Sequence, residues 1–168
     1  MSDVTIGPAY SNWPRYNRTL RDTVAGLTDE QLGLRPSPDR WPMWATLGHA
    51  ACQRVFWLCD FAREPGAETT PFPNAGHVCP GDEDLEHVLG AGALADAFDS
   101  TFRIIEGCLE GWTLDMLDEE IRHPEWRGNW VYTRGSVIQR VFVHDIYHSA
   151  EVNEILAAAG LPLIDLWD

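Results

Sequence analysis

The chain contains no lysine: all 12 of its basic residues are arginine, and they face 26 acidic residues. The formal net charge is −14, and the arginines form no cluster or stripe along the sequence. Such a charge repels the phosphates of nucleic acids and the headgroups of an anionic membrane. The sequence therefore predicts that neither nucleic acid nor a membrane is a partner.

Long apolar runs are missing as well. No segment approaches the roughly 20 consecutive apolar residues of a membrane-spanning helix. The sequence begins MSDVTIGPAYSNWPR, which lacks the apolar core of a signal peptide. We therefore expect a cytoplasmic protein.

Cysteine is scarce, and its spacing suggests no pairs. The four cysteines, Cys52, Cys59, Cys79 and Cys108, contain no CxxC motif, and three of them fall on predicted helices. Cysteines of cytoplasmic proteins are usually reduced. The sequence predicts four reduced thiols packed in the core and no disulfide bond.

Apolar residues with helical spacing, in contrast, are abundant. Hydrophobic residues make up 45% of the 168 residues, which suits a single domain over residues 1–168 with a sizeable core. Helical periodicity, bounded by capping or breaking residues, recurs in four segments. They run from Trp13 to about Gly26, Met43 to about Arg63, Gly90 or Ala91 to about Gly111, and Thr133 to just before Gly160. The predicted fold class is all-α, a four-helix bundle.

The connection between the second and third helices is the longest one. Residues 64–84 include four prolines and three glycines and show no helical periodicity. A connection of this length can cross from one end of a bundle to the other. Consecutive helices on either side of it need not be antiparallel, so we expect a long crossover here.

Two histidines on the last predicted helix, His144 and His148, form an HxxxH pair. Residues four apart lie on one face of a helix, and this face also carries the apolar residues Val137, Val141 and Val152. Buried imidazoles need partners for their nitrogens. A shared metal ion would satisfy both rings, but hydrogen bonds within the core would do so as well, and the pair alone does not decide between them.

A metal ion would need a third ligand from a facing helix. His49 is the other histidine on a core-facing stripe of a predicted helix. Three imidazoles with an open position are typical of a catalytic rather than a structural metal site. Neutral nitrogen ligands favour zinc, nickel or iron over magnesium or calcium, and they leave the charge of the ion free to acidify a bound water or thiol.

Three segments together resemble a known family. Trp41-Pro-Met-Trp-Ala-Thr-Leu-Gly-His49 resembles the tryptophan-to-histidine start of its second helix, and His144-Asp-Ile-Tyr-His148 resembles its HxxxH on the last helix. LTDEQLGLRP, over residues 27–36, resembles its bridge between the first two helices. The family is the DinB-like (YfiT-like) metalloenzyme family, and the resemblance spans nearly the whole chain.

The resemblance implies a four-helix bundle with a long second crossover and a divalent metal held by His49, His144 and His148. Characterised relatives include S-transferases that use low-molecular-weight thiols such as bacillithiol, and mycothiol-dependent isomerases such as maleylpyruvate isomerase. A small-molecule thiol and an electrophile are therefore the implied partners. Many members of the family form homodimers, so a homodimer is implied as well.

Two positions depart from the family's pattern. Pro42 stands where the family often has a serine that caps the second helix, and Ser149-Ala150-Glu151 follows the HxxxH where arginine and glycine are common. Residues around an open coordination position select the thiol, so these departures bear on which thiol is used.

Other side chains near these histidines have two interpretations each. Glu151, one turn after His148, is the candidate catalytic residue, either as general base or as a hydrogen-bond partner of a ligand; the alternative is a solvated carboxylate. Asp145 points about 100° away from His144 on the helix, which favours a surface role. Cys52, one turn after His49, could be a fourth ligand, although a packed thiol is favoured.

Five residues outside the main helices are weaker candidates. His77 and His87 flank the end of the long connection, whereas His123 lies with Trp126 and Trp130 in an irregular segment that could line a pocket mouth. For all of them, simple packing or exposure is at least as good an interpretation.

Two functions follow. The first is a metal-dependent enzyme that transfers a low-molecular-weight thiol to an electrophile or uses it in an isomerisation. The alternative is a non-catalytic, metal-stabilised dimeric module for binding or stress response. The open coordination position favours the enzyme, and the lack of an unambiguous acid or base beside the metal favours the module.

Overall fold

The computed structural model describes residues 4–75, 79–80, 84–122 and 131–166. It confirms an all-α fold. The helices are α1 (Trp13–Ala25), α2 (Asp29–Leu32), α3 (Met43–Val55), α4 (Ala91–Gly111) and α5 (Arg134–Ala158). α3 continues into a π-helical segment, Phe56–Phe61, and a two-residue antiparallel ladder pairs β1 (Glu120–Ile121) with β2 (Tyr132–Thr133).

Capping residues set several helix starts. The Thr28 hydroxyl accepts a hydrogen bond from the backbone N–H of Gln31, whose side chain accepts one from the N–H of Thr28. Thr133 and Ser136 form the same reciprocal arrangement at the start of α5. Each satisfies backbone donors that the first turn of a helix leaves free. Pro42 stands at the N-cap of α3 and makes no side-chain cap.

The long connection makes α3 and α4 parallel neighbours. Arg54, within α3, bonds Thr101 in the middle of α4, and Glu64, just beyond the π-helical segment, bonds Trp112 just after the end of α4. Both helices therefore run in the same direction. A parallel pair requires its connection to return along the bundle, which is the crossover that the sequence predicts.

The pairs α1–α4 and α3–α5 are antiparallel. Ile6, before α1, bonds the carbonyl of Trp112, beyond the end of α4, whereas Arg21 near the end of α1 reaches Asp99. In the pair α3–α5, the end of the π-helical segment that continues α3 lies beside Tyr132, just before the start of α5. α1, α4, α3 and α5 thus surround one apolar core, which the buried residues of all four helices share.

A buried ion pair joins all four helices at the centre. Arg54 is 1% exposed, and its guanidinium donates two hydrogen bonds of 3.0 and 2.8 Å to the carboxylate of Asp145 on α5. The remaining guanidinium nitrogen, Nη1, donates hydrogen bonds to Asn17 on α1 and to Thr101 on α4. Trp13 of α1 donates to the same carboxylate at 3.0 Å. Because every charged atom has partners, these bonds offset much of the desolvation penalty of burying the pair.

The predicted surface role of Asp145 is therefore wrong, since this residue is only 5% exposed. The direction of its side chain was predicted correctly: it points away from the face of His144. The face that it occupies, however, is covered by α1 and α3. Its partner Arg54 is 91 residues away in sequence, so helical periodicity within α5 gives no sign that a buried cation lies opposite.

The prediction of four reduced thiols is also wrong. Cys52 of α3 and Cys79 form a disulfide bond with a Cα–Cα distance of 5.9 Å, while Cys59 and Cys108 are free and buried. The crossover lies against α3 at this point and carries Cys79 to the helix. The two cysteines are 27 residues apart in sequence, a spacing that belongs to no recognised pattern.

Of the five weaker candidates, His87 alone is among the described residues. His87 is exposed, and its ring contacts Asp84 at 2.6 Å. His77, His123, Trp126 and Trp130 lie outside the described residues. No helix in the described ranges combines the length and the apolar character needed to cross a membrane.

We expect Arg54→Ala to destabilise the fold by about 3–5 kcal/mol, because it leaves the Asp145 carboxylate buried without its cation. Arg21→Ala is the matched control: it removes an Arg–Asp pair with partly exposed side chains, for which a loss of about 0–1 kcal/mol is expected. Urea denaturation followed by circular dichroism measures both. Equal losses in the two variants would contradict the central role of Arg54.

Candidate metal site

The structure brings together His49 from α3 and His144 and His148 from α5. The ring centroids of His49 lie 5.1 Å from those of both partners, and the two rings of α5 lie 4.3 Å apart. One nitrogen from each ring falls within 4.8 Å of the other two. These are the three residues that the sequence predicts as metal ligands. The antiparallel packing of α3 on α5 brings them to the same level of the bundle.

The nitrogens are spaced as ligands of one ion. Nε2 of His144 and Nε2 of His148 lie 3.1 Å apart. Two imidazole nitrogens that bind a tetrahedral zinc at about 2.1 Å lie roughly 3.4 Å from each other. A small adjustment of the side chains would therefore let both rings bind the same ion, with His49 as the third ligand.

The environment keeps the imidazole of His144 neutral. Burial, together with the proximity of His148 and His49, lowers the pKa of His144 to about 3. A neutral ring has a lone pair on one nitrogen, whereas a protonated ring has none and cannot bind a metal. Near neutral pH His144 therefore offers a lone pair, and imidazole nitrogens are donors that zinc, nickel and iron accept.

Glu151 selects the tautomer of His148. Its carboxylate lies 2.7 Å from Nδ1 of His148. A carboxylate can only accept, so Nδ1 carries the proton and the lone pair is on Nε2, which faces His144. Carboxylate–histidine pairs of this kind orient metal ligands and raise their basicity. The structure therefore places Glu151 in contact with a candidate ligand, an arrangement that fits one of the interpretations that the sequence left open.

The connector before α3 covers the site. Arg40 bonds the second oxygen of Glu151 at 3.4 Å, and the ring of Trp41 lies 5.2 Å from the ring of His49. Trp41 is part of a motif that the sequence shows. Arg40 has no such signal, because nothing in the sequence indicates that the connector lies against Glu151 of α5.

Two cavities reach the site from different sides. The first, of about 570 Å³, includes the side chain of His148, and its lining is Pro36, Asp39, Arg40, Trp41, Thr46, Tyr147, His148, Glu151, Glu154 and Ile155. The second, of about 480 Å³, includes that of His144, and its described lining is Tyr132, Ser136, Gln139, Arg140, Val143, His144 and Tyr147. A small molecule can therefore reach the histidine cluster although its rings are largely buried.

Cys52 is not available as a fourth ligand, because its sulfur is bonded to Cys79. Asp145, which immediately follows His144, holds the helix that carries the HxxxH pair. Its partner Arg54 was missed at the sequence level. The signal that could have found it is a single charged residue within α3, a helix that is apolar around much of its circumference, where an unpaired cation would be costly.

Comparison with known proteins decides the family. The family model described as the DinB superfamily matches residues 15–152. The chain belongs to the DinB superfamily. Its fold is similar to the crystal structure, at 2.01 Å resolution, of a DinB-like protein from Bacillus cereus ATCC 10987, with a TM-score of 0.68 over 96% of this chain and 97% of that one. The two sequences are 17% identical, so this likeness concerns the fold. No curated protein matches the chain.

The DinB superfamily assignment confirms the family resemblance found in the sequence. The ligand roles of His49, His144 and His148 and the catalytic role of Glu151 stay predictions. The structure shows that a three-histidine site can form and that Glu151 contacts it.

We expect purified protein to bind about one divalent metal per chain and His144→Ala to lose it, because two nitrogens hold such an ion poorly. His87→Ala is the matched control, since that histidine is exposed and outside the cluster. Elemental analysis after gel filtration measures the metal content. Equal content in wild type and His144→Ala would exclude the three-histidine site.

The lowered pKa of His144 predicts a pH dependence for the metal-stripped protein. The unfolded chain binds a proton at His144 near pH 6.5, whereas the folded protein does so only near pH 3. Between these values the unfolded state binds more protons, so stability falls as the pH falls, by up to about 1.4 kcal/mol per pH unit. His144→Gln should lose less stability between pH 7 and pH 5 in urea titrations. Parallel losses in the two proteins would contradict this.

Proposed function

We propose that this DinB superfamily protein is a metal-dependent enzyme that activates a low-molecular-weight thiol and transfers it to an electrophile, or uses it in an isomerisation. The observation that carries the proposal is the largely buried three-histidine cluster, which two cavities connect to solvent. A site that only stabilises the fold would be expected to be closed by a fourth protein ligand. Zinc or nickel is the proposed metal, and iron is a further candidate.

A divalent ion bound by three neutral rings supplies positive charge, which brings the pKa of a bound thiol or water to about 7. Residues of the chain bind the ion, orient a ligand and shield the site. His49, His144 and His148 provide the nitrogens, and Glu151 keeps the Nε2 lone pair of His148 directed into the cluster. Trp41 packs beside His49 and limits the access of water.

Glu151 is also the proposed proton acceptor. One of its oxygens bonds His148 and the other bonds Arg40, and the residue lines the cavity that reaches the cluster. The carboxylate takes the proton of the incoming thiol, and the sulfur forms a bond to the electrophilic carbon. The leaving group departs with the electron pair of the broken bond, so charge and atoms balance.

The alternative is a non-catalytic, metal-stabilised module for binding or stress response. It is favoured by the engagement of Glu151, whose two oxygens both have partners, and by the lack of any other acid or base in contact with the cluster among the described residues. Under either function we propose a homodimer in the cytoplasm without nucleic acid as a partner. These proposals rest on the family and on the charge of −14.

The deciding experiment compares metal-loaded and metal-stripped protein with a panel of thiols and electrophiles over a range of pH. We expect activity only with metal, and an increase with pH through about 7. Below that pH the thiol is protonated and protons compete with the metal for the imidazoles. His49→Ala should lose metal and activity together. Equal rates with and without metal would leave the binding module as the function.

Variants of two carboxylates in the same cavity test whether Glu151 is a proton acceptor or only a hydrogen-bond partner of His148. Glu151→Gln should keep its metal but lose roughly 10²-fold or more in rate, because the proton acceptor is gone. Glu154→Gln is the matched control, since Glu154 lines the cavity without a contact to the histidines. If the two variants had similar rates, Glu151 would not be the base.

A further inference from the structure

The two cavities that reach the cluster differ in charge. Three carboxylates, those of Asp39, Glu151 and Glu154, line the cavity beside His148, and Arg40, the single cation of its described lining, is paired with Glu151. A small anion that enters this cavity meets a net negative charge. An anionic substrate is therefore disfavoured on this side.

The described lining of the second cavity has the opposite sign. Its charged side chain is Arg140, which lies one helical turn before His144 on the same face of α5. Arg140 is exposed and makes no ion pair within the described part of the chain. Neutral polar groups, from Tyr132, Ser136 and Gln139, complete this part of the wall.

Arg140 is also held in place. Its guanidinium carbon lies 4.4 Å from the ring centroid of Trp57, which is 4% exposed. A guanidinium stacked on a fixed aromatic ring loses little further freedom when it binds an anion, and its N–H groups remain available at the edge of the plane. A planar guanidinium matches a carboxylate with two parallel hydrogen bonds.

We propose that Arg140 binds a carboxylate of the acceptor, so that the electrophile is a carboxylate-bearing small molecule that enters beside His144. The existence of this anion site does not depend on catalysis, but its assignment to the acceptor rests on the proposed function. The thiol then approaches through the cavity beside His148, where Glu151 takes its proton. The sulfur bonds to the acceptor carbon, the leaving group departs with its electron pair, and the carboxylate itself is unchanged.

The test uses benzoate and benzamide, which have nearly the same shape but differ in charge. The arginine Nε–Hε signals of 15N-labelled protein are recorded during titration with each, in zinc-loaded and metal-stripped samples. The signal of Arg140 is assigned by its absence in Arg140→Lys. We expect it to shift saturably with benzoate in both samples, with binding about tenfold or more tighter than that of benzamide.

Variants complete the design. Arg140→Gln should weaken benzoate about tenfold and leave benzamide unchanged, as followed by ring signals of the ligand. The control Arg103→Gln removes an exposed arginine of α4 that lines neither cavity, and it should have no effect. Equal affinities for benzoate and benzamide, or equal benzoate affinity in wild type and Arg140→Gln, would overturn the proposal.

This measurement involves no turnover, so its outcome is independent of whether the proposed function is correct. Preferential binding of benzoate through Arg140 in a protein without transferase activity would support the anion site and remove its assignment to an acceptor. An active transferase in which Arg140 does not discriminate between the two probes would refute the anion site and keep the reaction.

Discussion

The buried ion pair of Arg54 and Asp145 is the interaction on which the rest of the structure depends. Arg54 donates two hydrogen bonds to Asp145 of α5 and further hydrogen bonds to Asn17 of α1 and Thr101 of α4, so all four helices of the bundle meet at one point. A charge in the core is tolerated only with such complete pairing. Because directed bonds allow few alternative geometries, the pair fixes the relative rotation of the helices as well as their contact.

That rotation positions the candidate metal site. Asp145 directly follows His144, and neighbouring residues of a helix point about 100° apart. When Asp145 is bound to Arg54, the faces of His144 and His148 turn toward His49. Arg54 and His49 are both on α3, so one pair of helices carries the ion pair and the histidine cluster in adjacent layers. The stability of the core and the geometry of the site are therefore coupled through α3 and α5.

Much of this could be predicted from the sequence because it depends on local spacing. The period of the apolar residues gives the helices, Thr28 and Thr133 mark the starts of two of them, and the HxxxH pair needs only one helical turn to form. The predicted ligands could also be selected, since His49 is on a core-facing stripe. Asp145 and the Cys52–Cys79 bond were predicted wrongly because each depends on a partner that is distant in the sequence.

The sequence by itself determined the all-α class, the helix limits, the long crossover and the identity of the three clustered histidines, because periodicity and capping act over a few residues. Only the tertiary structure decided which faces meet. It placed Arg54 opposite Asp145, placed Arg40 beside Glu151, and gave the described linings of the two cavities different charges. These contacts depend on how helices pack around a shared core. That packing is a property of the whole chain, so it cannot be predicted from any single segment.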